Sequence, residues 1–133
     1  MSSKSIVHRD LKLANILLHF PNISKFDELS SLKKRKFLNK VDLTKVEFEL
    51  KIGDFGLSTI YDSHQSVLSI VGTPLYSSPQ VLNNTWYDET VDTWALGCIL
   101  FELINGMTPF QGKSEEELIQ MIKDGRYKAK TSD

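Results

Sequence analysis

At 133 residues the chain has the size of one small domain, and 41% hydrophobic with 25% charged residues marks an ordinary globular protein, neither disordered nor membrane-spanning. A formal net charge of -1 gives no overall attraction to nucleic acid or anionic lipid, so any polyanion contact has to be local. Residues 1–5 lack the apolar stretch of a signal peptide, and no apolar run reaches the length of a bilayer span. The single cysteine, Cys98, lies among Leu96, Gly97, Ile99 and Leu100, which predicts a buried, inert thiol and a reducing compartment, cytoplasmic or nuclear.

Ile6-Val7 is followed at once by a polar cluster, and Ile16-Leu17-Leu18 then predicts a short buried strand. From His19 to Glu49 the pattern dissolves into mixed polar and charged residues, an inserted excursion at about 19–49. Within it Phe26, Leu29, Leu32, Phe37 and Leu38 are loosely helix-spaced, predicting a short helix. Leu50-Lys51-Ile52 resumes a strand, and pairing it with Ile16 to Leu18 makes a hairpin with the insertion at its tip. Asp54 to Ser78 is rich in small, polar and turn-forming residues, a long functional loop.

Thr90 to Asn105 has scarcely any polar face, which predicts a centrally buried helix, and Asn105-Gly106 ends it with residues that tolerate a left-handed cap. A second helix is expected from Ser114, whose hydroxyl caps the Glu117 amide while the Glu117 carboxylate reaches back. Leu118, Ile119, Met121 and Ile122 form its apolar face, and Gly125 closes it.

Two motifs stand in matching settings: His8-Arg9-Asp10-Leu11-Lys12-Leu13-Ala14-Asn15 before one strand of the hairpin, and Asp54-Phe55-Gly56 after the other. Phosphoryl transfer needs an oriented acceptor hydroxyl and neutralised phosphate charge, and the hairpin converges a base, a cation and two oxygen ligands for that purpose. These motifs resemble those of the eukaryotic protein kinase family, of the Ser/Thr type. The resemblance covers nearly all of the chain outside the insertion.

It implies a mainly α fold with a short β-hairpin (α+β), a partial protein-kinase-like fold of the C-terminal lobe only, running from catalytic loop to G-helix across residues 1–133. It implies ATP and Mg²⁺ as cofactors, and protein Ser/Thr hydroxyls as substrate. Asp10 resembles the catalytic aspartate, and Lys12 the lysine set against the transferring phosphate. Asn15 and Asp54 resemble the Mg²⁺ ligands. His8 and Phe55, with Gly56 completing the second motif, resemble hydrophobic-spine and structural positions. Asp92 resembles the aspartate that holds the catalytic loop from below. Arg9 resembles the arginine that grips a loop phosphate, attached at Ser69 by an activating kinase. Thr59, Ser63 and Ser66 are lesser candidates for that phosphate, and all four, Ser69 evenly, also read as solvated loop hydroxyls. Thr73 resembles the loop threonine that bonds near the aspartate and lysine. Gly72-Thr73-Pro74-Leu75-Tyr76 and the Pro109-Phe110 region look like the Unc-51-like branch or the calmodulin-dependent-type kinases.

Three departures accompany the resemblance. Ser78-Pro79-Gln80 stands where the family has Ala-Pro-Glu, removing the usual carboxylate. Asp10 and Asp54 are 44 positions apart, more than twice the family's habit, though a longer hairpin tip adds only a logarithmic closure cost. No glycine-rich loop, strand lysine or partner-helix glutamate appears, so the N-lobe and last C-lobe helices are expected to be absent and the fragment inactive alone. Incomplete burial around Trp94, Leu100 and Phe101 is expected with it. The alternative function is a non-catalytic binding or scaffold module. The run Lys33 to Lys36 reads as an import or partner patch or as a solvated face. Partners are a protein substrate and an activating kinase, with no nucleic acid and no membrane span.

Overall fold

Thr90–Asn105 forms a 16-residue helix, α3, as its apolar pattern predicts. The Asp88 carboxylate accepts from the Thr90 amide at 3.0 Å and from its hydroxyl, satisfying donors at the helix start. Gly106 ends it at φ 71°, the left-handed conformation that glycine adopts without a Cβ clash. The computed structural model describes residues 6–60 and 73–128. They fall into two compact units: residues 14–53, and the stretches on either side of them together.

In the larger unit α3 offers one buried stripe, Val91, Ala95, Cys98 and Ile99, at helical spacing. Val91 packs with Val7, Val81 and Tyr87. Cys98 packs with Leu82, Phe110, Met121 and Ile122. The expectation of a centrally buried helix is therefore corrected. Leu96, Leu100, Leu103 and Ile104 are 49 to 74% exposed, because the packing elements lie on one side of α3 only. Burial is incomplete where the sequence predicted it for Leu100, while Trp94 and Phe101 are half-buried.

Two short helices complete this layer. Pro79–Leu82 forms α2, started by the buried Ser78, whose hydroxyl accepts from the Val81 amide at 3.4 Å, with proline at the first position where no donor is lost. Glu115–Lys123 forms α4. Ser114 caps the Glu117 amide at 3.2 Å, and the Glu117 carboxylate reaches back one residue further than a reciprocal box would, to the Lys113 amide at 2.7 Å. Three acids in the first turn and Lys123 in the last complement the helix dipole. Gly125 follows at φ 66°. A two-residue strand, β1 (Ile6–Val7), pairs antiparallel with β4 (Thr59–Ile60), a pairing not predicted from the sequence.

In the smaller unit β2 (Ile16–His19) pairs antiparallel with β3 (Glu49–Ile52), with Ile16 opposite Ile52 and Leu18 opposite Leu50. The hairpin is as predicted, but not its burial: Leu17 is 54% and Leu50 62% exposed. The core of this unit is aromatic instead. Phe20, 2% exposed, meets the rings of Phe26 at 4.7 Å, Phe37 at 5.4 Å and Phe48 at 6.3 Å, so ring packing takes the place of an aliphatic sheet face. The predicted short helix is α1 (Ser31–Leu38), anchored by Phe37 and without a side-chain cap.

Gly112 sets the approach of the chain to α4. A Cβ there would lie 2.3 Å from the Leu118 nitrogen and 2.8 Å from the Ser114 carbonyl oxygen, backbone atoms that cannot swing aside. Gly112→Ala is expected to lower unfolding free energy by about 1–3 kcal/mol, as overpacking does, measured by urea denaturation. An unchanged midpoint would contradict this placement of α4.

Candidate active site

The catalytic-motif loop leaves β1 at Val7, which is 1% exposed and fixed in the core. Arg9 then turns into the left-handed region at φ 67°, a conformation that costs a non-glycine residue about 1 kcal/mol or more. The carboxylate of Asp92, in the first turn of α3, holds that turn. Its Oδ2 accepts from the His8 amide at 2.7 Å and its Oδ1 from the Arg9 amide at 3.0 Å. The Arg9 Nε donates to the Leu57 carbonyl at 2.6 Å, tying the loop to the turn after Asp54. The His8 ring meets the Phe55 ring edge-on at 4.9 Å, and its Nδ1 accepts from the Asp10 amide at 3.3 Å.

These contacts present Asp10, only 8% exposed, to two partners. Its Oδ1 accepts from both the amide and the hydroxyl of Thr73, each at 3.1 Å, and its Oδ2 accepts from Lys12 Nζ at 2.7 Å. Lys12 also donates to the Thr73 hydroxyl at 3.3 Å. Burial alone would raise the Asp10 pKa, but the hydrogen bonds and charge of Lys12 and the bonds from Thr73 outweigh it and hold the carboxyl below its ordinary 3.8. The structure thus brings together Asp10, Lys12 and Thr73, with His8, Arg9, Phe55 and Asp92 around them. An ionised, well-bonded carboxylate is a weak base but a strong acceptor, suited to aligning a hydroxyl.

Asp54 adopts φ 61°, and its exposed carboxylate accepts only a long bond, 3.4 Å, from the Gly56 amide. Asn15 belongs to the smaller unit, where it is buried at the end of the single turn Leu13–Asn15, with its carbonyl accepting from the Gly53 amide at 2.9 Å. Both carry the hard oxygen donors that Mg²⁺ prefers. Among the described residues there is no group of three or more His, Cys, Asp or Glu placed to hold a metal ion. Ser69, with Ser63, Ser66 and Gly72, lies outside the described residues. Thr59 lies in β4.

One member of the site escaped the sequence reading. Tyr76, in the turn Pro74–Tyr76, donates its hydroxyl to the Glu102 carboxylate of α3 at 2.6 Å, and burial followed by that bond pushes the phenol up to about 12. Nothing in the sequence couples residues 26 positions apart. Beneath Thr73, Tyr76 and Ser78 a cavity of about 20 Å³ also touches Asp10 and Asp92 and has room for a single water.

The depressed Asp10 pKa makes a signed prediction. It contributes stability that is present above 3.8 and lost as pH falls through the lower folded value. Acid unfolding followed by circular dichroism is expected to show a steeper loss below that pH in the wild type than in Asp10→Asn. Parallel acid limbs would show that Lys12 and Thr73 do not stabilise the ionised form.

The chain is similar to known proteins along nearly its whole length. The protein kinase domain family model matches residues 1–132. The chain is 40% identical over 127 residues to the serine/threonine-protein kinase plk-2 of Caenorhabditis elegans, covering 96% of this chain and 16% of that protein. It is 37% identical over 127 residues to NUAK family SNF1-like kinase 1 of Mus musculus, covering 95% and 15%. It is 35% identical over 127 residues to calcium-dependent protein kinase 4 of Plasmodium falciparum, covering 96% and 20%. The chain therefore spans a fifth or less of the length of these relatives.

Proposed function

The chain belongs to the protein kinase domain family, and we propose that it is the catalytic-loop-to-G-helix portion of the C-terminal lobe of a Ser/Thr kinase, working with ATP and Mg²⁺ on protein hydroxyls. The observation that carries the reading is the triad at Asp10: a buried carboxylate bonded to Lys12 at 2.7 Å and to Thr73 at 3.1 Å. In this reading Asp10 aligns the acceptor hydroxyl and takes its proton late, as a carboxylate of lowered basicity does. Lys12 sets its positive charge against the phosphate, and Thr73 fixes the distance between the two. The preference for Ser and Thr rests on Lys12 and Thr73 and on the printed names of relatives such as serine/threonine-protein kinase plk-2.

Asn15 and Asp54 are the residues that would hold Mg²⁺. Bound Mg²⁺-ATP would supply the phosphoryl group and neutralise its charge. His8, Phe55, Gly56 and Asp92 position the loop. Arg9 would receive the phosphate added by an activating kinase, with Ser69 as its acceptor. The branch suggested by Pro74-Leu75-Tyr76 and Pro109-Phe110, Unc-51-like or calmodulin-dependent-type, stays part of this proposal. A cytoplasmic or nuclear site accords with the unpaired Cys98, whose thiol burial pushes up to about 11.

Titrating the chain with Mg²⁺-ATP, and following phosphoryl transfer to Ser, Thr and Tyr peptides by the complete kinase domain that carries it, since the fragment is expected to be inactive alone, tests the proposal. Asp54→Ala is expected to abolish Mg²⁺-dependent nucleotide binding. Asp10→Asn is expected to keep binding and lower transfer by about 10²–10⁴-fold. Transfer indifferent to Asp10→Asn, or directed to Tyr, would overturn the assignment.

A further inference from the structure

Residues 14–53 carry eight Lys and Arg against five Asp and Glu, whereas the rest of the chain carries eight against twelve, so positive charge is gathered in the smaller unit. Four of its five acids are already engaged within it. Asp27 lies 3.4 Å from His19, Asp42 3.1 Å from Lys45 and Glu49 2.6 Å from Lys51, and Glu47 accepts from Asn22 at 2.6 Å. Lys34 is turned inward, its ammonium 5.7 Å from the centre of the Phe26 ring. Lys33, Arg35, Lys36 and Lys40 remain exposed and make no ion pair among the described residues.

Phe37 and Lys34 face the aromatic core, while Lys33 and Lys36, three positions apart and both exposed, neighbour each other along one edge of α1, and Lys40 follows in the next turn. Leu32 stands beside them, 74% exposed. Like charges packed this closely repel, and the helix contains no acid to offset them. An opposite charge from outside relieves that repulsion.

We infer that this face of α1 docks an acidic protein segment, rich in Asp and Glu, with an apolar residue against Leu32. Three of the four cations are lysines, compact point charges without the guanidinium fork that reads phosphate in pairs. Phe20, Phe26 and Phe37 engage one another, which leaves Phe48, 37% exposed, as the one ring of this unit open to stacking, too few for a run of bases. Eight helical residues span about 12 Å, too short to follow a phosphate backbone, and two exposed leucines, Leu32 and the less exposed Leu38, anchor poorly in a bilayer.

The test is fluorescence anisotropy with a labelled peptide of Glu and Asp around a central Leu, titrated with the full chain. Parallel titrations use single-stranded RNA of equal charge and phosphatidylserine vesicles. Saturable peptide binding is expected, weakened about tenfold or more by the triple change Lys33→Glu, Lys36→Glu, Lys40→Glu and lost as salt rises. The triple change to Gln, which introduces no new charge, is expected to weaken binding less and to raise the thermal midpoint slightly as the repulsion is relieved. No saturable binding, binding indifferent to both triple changes, or tighter binding of RNA or vesicles would overturn the inference.

Discussion

The geometry of the site depends on one carboxylate. Asp92 accepts from two successive backbone amides, His8 and Arg9, and so stabilises a left-handed turn that Arg9 would not otherwise favour. That turn sends the chain from the buried Val7 to an Asp10 facing Lys12 and Thr73. Each amide bond to a charged acceptor is worth about 1.5–3 kcal/mol, enough to outweigh the strain at Arg9. Asp92 is itself set by α3, whose neighbouring Val91 is buried against Val7. Core packing and the geometry of the candidate site therefore meet within two consecutive residues.

A second tie fixes the far side of the same site. Tyr76 on Glu102 anchors the turn after Thr73 to α3, ten residues beyond Asp92 on the same helix. One rigid element thus orders both the loop that carries Asp10 and the turn that follows its hydrogen-bond partner. Because burial and that bond push the Tyr76 phenol up to about 12, the phenol keeps the proton it donates well above neutral pH.

Much of this was legible in the sequence wherever spacing carries the signal. The capped α4, the α3 boundaries and the β2–β3 hairpin follow from local periodicity and cap chemistry, which need no tertiary information. Burial was less legible. An apolar run cannot say which of its sides meets a neighbour, so Leu17 and Leu103 were expected inside and lie outside. The Phe20 cluster was hidden because Phe26, Phe37 and Phe48 converge through turns rather than along one helix face. The motif residues Asp10, Lys12 and Asn15 were visible by resemblance, whereas the pairing of Tyr76 with Glu102 has no local signature.

Amide hydrogen exchange at His8 and Arg9, compared between the wild type and Asp92→Asn, tests most directly whether one carboxylate holds the loop. Exchange at both amides is expected to accelerate by about tenfold or more in the variant, with the Asp10 pKa rising toward its ordinary range as the turn loosens. Unchanged protection together with an unchanged Asp10 titration would show that the loop holds its shape without Asp92.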